Sequence, residues 1–326
     1  MNTELNMQGS LNRRALLRWG WVAAAGAGLA SRALAALPDM QAREAASGCW
    51  YVQGLSEMGS SANQNFISNA GFIVTSTSVV VVDALGSPAL AERFVAEIRK
   101  VTPKPITHLI LTHYHADHIY GLQVFKALGA RIIAQQLGRE YLNSETARLR
   151  LQASRTDLAP WIDENTHLVP ADEWINGPTT LTVGDTQIQL IPVGPAHTQD
   201  DVVIWLPGRK VLYSGDLVFR GRIPYVGDAD SGHWIKALDD LLQLDVKAVI
   251  PGHGAISLDA RKDMQFTRDY LAYLRKAMGQ AAEDMTPFDE AYKATDWSPY
   301  QHMPLFDAAN RMNAYNTYIL MEHQAK

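Results

Sequence analysis

A single cysteine in 326 residues, Cys49, excludes an internal disulfide, so no disulfide scaffold organises this chain. Positive charge is also short: 29 Lys and Arg stand against 34 Asp and Glu, a formal net charge of −5 with a pI near 6.1. That balance argues against a binder of duplex nucleic acid, which needs a basic patch for phosphate contacts. Beyond the N-terminus no apolar run approaches the ~20 residues that cross a bilayer. No internal repeat stands out. At 47% hydrophobic and 19% charged the composition is neither disordered nor collagen-like. What is present is length for one large domain with an appendage or for two smaller ones, and ten histidines.

The first 35 residues have three parts. A polar start contains Asn12-Arg13-Arg14-Ala15-Leu16-Leu17-Arg18, an Ala/Gly-rich apolar stretch runs from Trp19 to Ala30, and small residues Ala33-Leu34-Ala35 precede Ala36. This is the layout of a bacterial export signal cleaved near Ala35. The paired arginines resemble a twin-arginine signal. The expectation is a periplasmic protein with no stable membrane insertion after cleavage. Removing residues 1–35 takes Arg13, Arg14, Arg18, Arg32 and Glu4, leaving 25 basic and 33 acidic residues, a charge of −8.

Strands are expected at Gly71–Val74, at the valine run Val79–Val82, and at Ile106–Thr112. Ser87-Pro88 reads as an N-cap followed by proline at the first helical position, opening a helix to about Val101. A short helix over Gly121–Leu128, a strand at Arg131–Ala134 and one polar helix over Gln136–Arg155 follow. Thr180–Val193 forms a hairpin turning at Gly184-Asp185. Strands at Val202–Leu206, Lys210–Ser214 and Val246–Ile250 come next, the last preceded by a helix over His233–Leu244. Beyond Ala260 the pattern is helical. The alternation indicates an α/β protein, with a boundary near Ala260 between a body over 36–260 and a helical extension over 261–326.

The chemistry concentrates in Thr112-His113-Tyr114-His115-Ala116-Asp117-His118, where a buried strand gives way to a loop. Four potential metal ligands in six residues at a strand end are rigidly held yet open to solvent. Imidazole and carboxylate suit zinc, and also iron or manganese. His197, Asp216 and His253 each lie at or just beyond the end of a later strand.

The run His113-x-His115-x-Asp117-His118, followed by His197, Asp216 and His253, resembles the metallo-β-lactamase superfamily in its glyoxalase II-like ligand pattern. The resemblance spans about Trp50 to Leu258 and includes Asp83. It implies a four-layer αββα sandwich with a C-terminal helical extension. It also implies two zinc ions per chain, one held by His113, His115 and His197, the other by Asp117, His118 and His253, with Asp216 as the bridge. The implied activity is hydrolysis of a small-molecule substrate by metal-activated hydroxide, with Asp117 orienting it and taking its proton.

Within the superfamily, β-lactamases with a second-site cysteine need it where Asp216 stands, and those using Asp-His-His generally lack the bridging aspartate. The ligand set is instead that of thioester hydrolases and lactonases, so an acyl bond of thioester, lactone or β-lactam type is expected. A β-lactamase proper, or a mono-iron enzyme resembling the persulfide dioxygenases, is the alternative. A non-catalytic metal-binding module ranks last. Oligomeric state is not legible. Candidate substrate contacts are Met58 in the Leu55–Phe66 loop, Arg222 and Tyr225 after Asp216, and His233 at the start of its helix. Tyr270, Tyr273 and Arg275 fall where glyoxalase-like proteins cap their site, a spacing that plain packing also gives.

Overall fold

The computed structural model describes residues 39–324; the export signal expected over residues 1–35 lies outside the described residues. Two sheets face each other. The first has seven strands in sequence order: β1 (Arg43–Ala46), β2 (Cys49–Val52), β3 (Ala70–Val74), β4 (Val79–Val82), β5 (Ile106–Ile110), β6 (Arg131–Gln135) and β7 (Glu173–Ile175). The second runs β12 (Ala248–His253), β11 (Val211–Phe219), β10 (Val202–Leu206), β9 (Thr186–Pro192), β8 (Thr179–Val183). Helices α1 (Pro88–Val101), α2 (Ala116–Ile119), α3 (Leu122–Ala127), α4 (Gly138–Leu142) and α5 (Glu145–Asp157) belong to the first half of the chain. Helices α6 (Ser231–Leu241), α7 (Ala260–Glu283), α8 (Phe288–Ala294) and α9 (Phe306–Gln324) belong to the second. Among the described residues no helix is long and apolar enough to cross a membrane.

Side-chain alternation builds the layers. In β4, Val79 and Val81 join the core under α1, whereas Val80 and Val82 join the core between the sheets. In β10, Val203 and Trp205 face α6 and α7, and Val202, Ile204 and Leu206 face inward. Successive strand residues point to opposite faces, so strands apolar on both faces need cover on both. Three apolar cores between four layers result, which is the expected αββα sandwich. The helices beyond Ala260 share their core with β11 and α6: Tyr270, Leu271, Leu274 and Ala314 pack in one cluster with Leu212, Phe219 and Trp234.

Local signals hold where the chemistry is local. Ser87 caps α1, its hydroxyl accepting from the Leu90 amide at 3.2 Å, with Pro88 opening the helix. The single helix expected over Gln136–Arg155 is instead two. Ser144 leaves helical geometry to cap α5 by accepting from the Ala147 amide at 3.1 Å, so a capping residue inside a polar run ends one helix and starts the next.

Candidate metal centre

The centre lies on one edge of the sandwich, where both sheets end. His113 follows β5, His115 precedes α2, and Asp117 and His118 lie within it. His197 sits in the loop between β9 and β10, Asp216 in β11, and His253 closes β12. Two groups of donor atoms converge, His113, His115, His197 and Asp216 in one and Asp117, His118 and His253 in the other, each with its atoms within 4.8 Å. Asp216 reaches both. Its Oδ2 lies 3.4 Å from His197 Nε2 and 3.9 Å from His113 Nε2, while its Oδ1 lies 3.3 Å from His118 Nε2. Asp117 Oδ2 is 3.3 Å from His253 Nε2 and 3.6 Å from His118 Nε2.

The backs of the rings are held. Thr112 Oγ1 donates to Asp83 Oδ2 at 2.8 Å and accepts from His113 Nδ1 at 3.0 Å. The same Asp83 oxygen accepts from His118 Nδ1 at 2.9 Å, and Asp83 Oδ1 accepts the Thr112 amide. His253 Nδ1 donates to the Ile67 carbonyl at 2.8 Å. Each of these bonds turns Nε2 toward the common space and fixes the tautomer. Asn69 closes the edge between the sheets, its Nδ2 donating to the Pro251 and Gly254 carbonyls that flank His253.

A cation fits this donor set. His113 Nε2, His118 Nε2 and Asp216 Oδ1 are buried and make no hydrogen bond, although buried polar atoms are normally paired. Burial, with the charge of His118, holds His113 well below the usual imidazole pKa; burial holds His115 down at about 4 and His197 at about 3. These three rings are therefore held neutral, the form in which imidazole can bind a metal. At His118 burial opposes a charge, but Asp117, Asp216 and Asp83 overcome it and hold the imidazole up. At Asp117 burial is overcome by His118 and His253, which hold its carboxyl below the usual range. The carboxylates thus concentrate a field that positive charge offsets.

Two lobes meet over the centre. One, of about 310 Å³, is lined by Met58, Asn65, Asp117, Arg222, Tyr225 and His253 among others; the second, of about 450 Å³, includes Tyr114, Tyr141, His197 and Asp228. His115, Arg150 and Tyr225 border both. Met58 is 51% exposed at the rim. Arg222 is 4% exposed, with Nη1 making no hydrogen bond. Burial lowers its pKa while Asp216 and Asp117 act the other way, so its guanidinium lies within their field. The Tyr225 ring stands 6.4 Å from that of His115 and 6.3 Å from that of His197.

His233 is not brought to the centre. Asp230, which caps α6, accepts from His233 Nδ1 at 2.8 Å, and the imidazole borders a separate groove with Pro192 and Lys236. The next residue, Trp234, is the one that arrives: fully buried, its ring 5.3 Å from His197. The apolar stripe of α6, Trp234, Ala237, Leu238 and Leu241, is the signal that places it. Tyr270, Tyr273 and Arg275 line neither lobe. Arg150, on the polar helix α5, had no sequence signal at all. Asp83 gives the first test: Asp83→Ala frees the back of His118 and unties the Thr112 hydroxyl that holds His113, and metal titration should show affinity falling about 10- to 100-fold.

The sequence profile of the metallo-beta-lactamase superfamily matches residues 64–253. A metallo-beta-lactamase type 2 of Bacillus sp. (strain 170) is 28% identical over 194 residues, 58% of this chain and 67% of that protein. Among solved structures, a metallo-beta-lactamase from Pontibacter korlensis is similar with a TM-score of 0.57 at 22% identity, covering 72% of this chain and 99% of its own. A stereoselective inverting sec-alkylsulfatase from Pseudomonas sp. gives a TM-score of 0.69 at 17% identity, over 86% of this chain and 50% of its own. Since 86% of 326 residues is about 280, and 259 precede α7, that likeness extends into the C-terminal helices.

Proposed function

Because this chain belongs to the metallo-beta-lactamase superfamily, we propose that it is an exported dinuclear zinc hydrolase of a small anionic substrate, cleaving an acyl bond of thioester, lactone or β-lactam type. One observation carries the reading: Asp216 reaches both donor groups, so one carboxylate can serve two ions. His113, His115 and His197 would hold one ion and Asp117, His118 and His253 the other. Two such ions supply Lewis acidity, bringing a water towards ionisation near neutral pH and polarising the scissile bond. Iron or manganese would satisfy the same donors less specifically.

The side chains do the rest. Asp117 borders the cleft and, held ionised by His118 and His253, would orient the attacking water by accepting a hydrogen bond from it. Arg222, buried with a free N–H, supplies a fixed cation for an anionic group of the substrate. Tyr225 borders both lobes. The export reading rests on Arg13-Arg14 and the Ala33-Leu34-Ala35 site, and places the activity in the periplasm.

A sulfate ester is the second reading, favoured by the likeness to a sec-alkylsulfatase that reaches the C-terminal helices, where the β-lactamase likeness covers less of the chain. It too presents an anion to Arg222. One panel tests both. Purified protein should bind about two zinc ions per chain and cleave a chromogenic thioester, lactone or cephalosporin without oxygen. Cleavage of aryl or alkyl sulfates alone would select the second reading. One iron per chain with oxygen uptake on a persulfide would overturn the hydrolase assignment of substrate and metal.

A further inference from the structure

The segment that carries Arg222 and Tyr225, between β11 and α6, has no helix or strand of its own. Its buried backbone groups must find partners elsewhere. They find them in the C-terminal helices. The Ile223 amide donates to the Pro304 carbonyl just ahead of α9 at 3.0 Å. From α9, Asn313 Nδ2 donates to the Pro224 carbonyl at 2.7 Å and Asn313 Oδ1 accepts the Val226 amide at 2.9 Å. Asn316, three residues on, donates to the Gly227 carbonyl at 2.8 Å.

Asn313 is fully buried, and its orientation is fixed from behind. Its second N–H donates to Tyr270 Oη at 2.9 Å, and that hydroxyl donates to Asn310 Oδ1 at 2.9 Å. Asn310 Nδ2 in turn donates to Tyr292 Oη at 3.2 Å, tying α9 to α7 and α8. Two donors and one acceptor on Asn313 are thus all used, and only a carboxamide presents both kinds at one point. A helix that merely covered a sheet would place an apolar residue there, as α9 does at Ala309 and Ala314. The spacing Asn310, Asn313, Asn316 puts three amides on one helix face.

We propose that the C-terminal helical unit is part of the substrate-binding apparatus, with Asn313 and Asn316 as positioning residues that set the Arg222–Gly227 segment. Through it they aim Arg222 and Tyr225 at the anionic group next to the scissile bond. This rests on the reading of Arg222 as the anion-binding residue, and the experiment separates the two.

The probes are a chromogenic acyl ester bearing a carboxylate and the same ester with that carboxylate methylated. Arg222→Met should lower the preference for the carboxylate, as a ratio of kcat/KM values, about 10- to 100-fold, the loss expected for one charge-assisted hydrogen bond. Asn313→Ala should lower the same ratio about tenfold through KM rather than kcat, with zinc content retained, because the cation is displaced and not deleted. Hydrogen exchange at the Val226 and Ile223 amides should quicken in Asn313→Ala. Should that variant fail to fold, Tyr270→Phe removes the bond that orients the amide, leaves the loop contacts in place, and should show the same pattern at smaller amplitude. Loss of the carboxylate preference in Arg222→Met, while Asn313→Ala slows both esters equally or leaves KM or amide exchange unchanged, overturns the proposal. An unchanged carboxylate preference in Arg222→Met overturns the anion reading and with it the role given to the segment.

Discussion

Asp216→Ala should cost the proposed dinuclear centre its second ion and lower kcat/KM on the order of 10³-fold, since removing the shared carboxylate would impair both that ion and the water it would activate. Asp216 spans both donor groups: Oδ1 faces His118, while Oδ2 faces His197 of the first group and His253 of the second. Without it the first group keeps three neutral imidazoles, enough for one ion. The second keeps Asp117, His118 and His253 but loses the negative charge that lies against both rings. Metal analysis should therefore fall from about two ions per chain towards one, the ion at Asp117, His118 and His253 leaving first. Full occupancy of both sites in this variant would refute the bridging role.

Gly252→Ala should be nearly as severe although residue 252 carries no ligand. A Cβ there would lie 1.9 Å from Asp216 Oδ1, 2.7 Å from the Gly215 carbonyl carbon and 2.9 Å from the Asp216 amide nitrogen. The two backbone atoms belong to β11, where Gly215 pairs with Pro251 of β12, so their retreat would disturb that pairing and the carboxylate turns away more easily. Overpacking of this kind costs about 1–3 kcal/mol, which lowers Tm by several degrees in a domain of this size. Zinc retention should fall as in Asp216→Ala. Gly208→Ala is the control, because a Cβ there meets nothing within 4 Å. Equal Tm and zinc content in the two alanine variants would contradict the packing argument.

How far the sequence could be read follows from the range of the forces involved. The α1 start was legible because Ser87 and Pro88 act on their own neighbours. The clustering of the seven His and Asp side chains was legible because four of them lie within six residues and the family resemblance joined His197, Asp216 and His253 to them. The αββα layering followed from the family resemblance together with apolar runs such as Val79–Val82. The failures have a common cause in tertiary contacts. His233 and Trp234 are adjacent, and which one meets His197 depends on the face α6 buries and on the Asp230 cap that holds His233 away. β11 runs on through Asp216 to Phe219, past its expected end at Ser214, because β12 offers a partner as far as His253. β7, three residues long, is a strand only because β6 lies beside it. The asparagines of α9 read as ordinary polar positions until the Pro224–Gly227 backbone is seen against them.

The seam between the sheets also sets an order of assembly. The first sheet brings His113, His115, Asp117 and His118, and the second brings His197, Asp216 and His253. Each donor group draws on both, so neither sheet completes either one. As the chain leaves the ribosome, the first half emerges with four ligands on a single edge and no way to close a coordination sphere. The last of the seven arrives at residue 253, and Asn69 can clasp the Pro251 and Gly254 carbonyls only after the sheets have docked. Under the proposed metal-binding reading, capture of the ions would thereby follow the joining of the two halves and would not nucleate either.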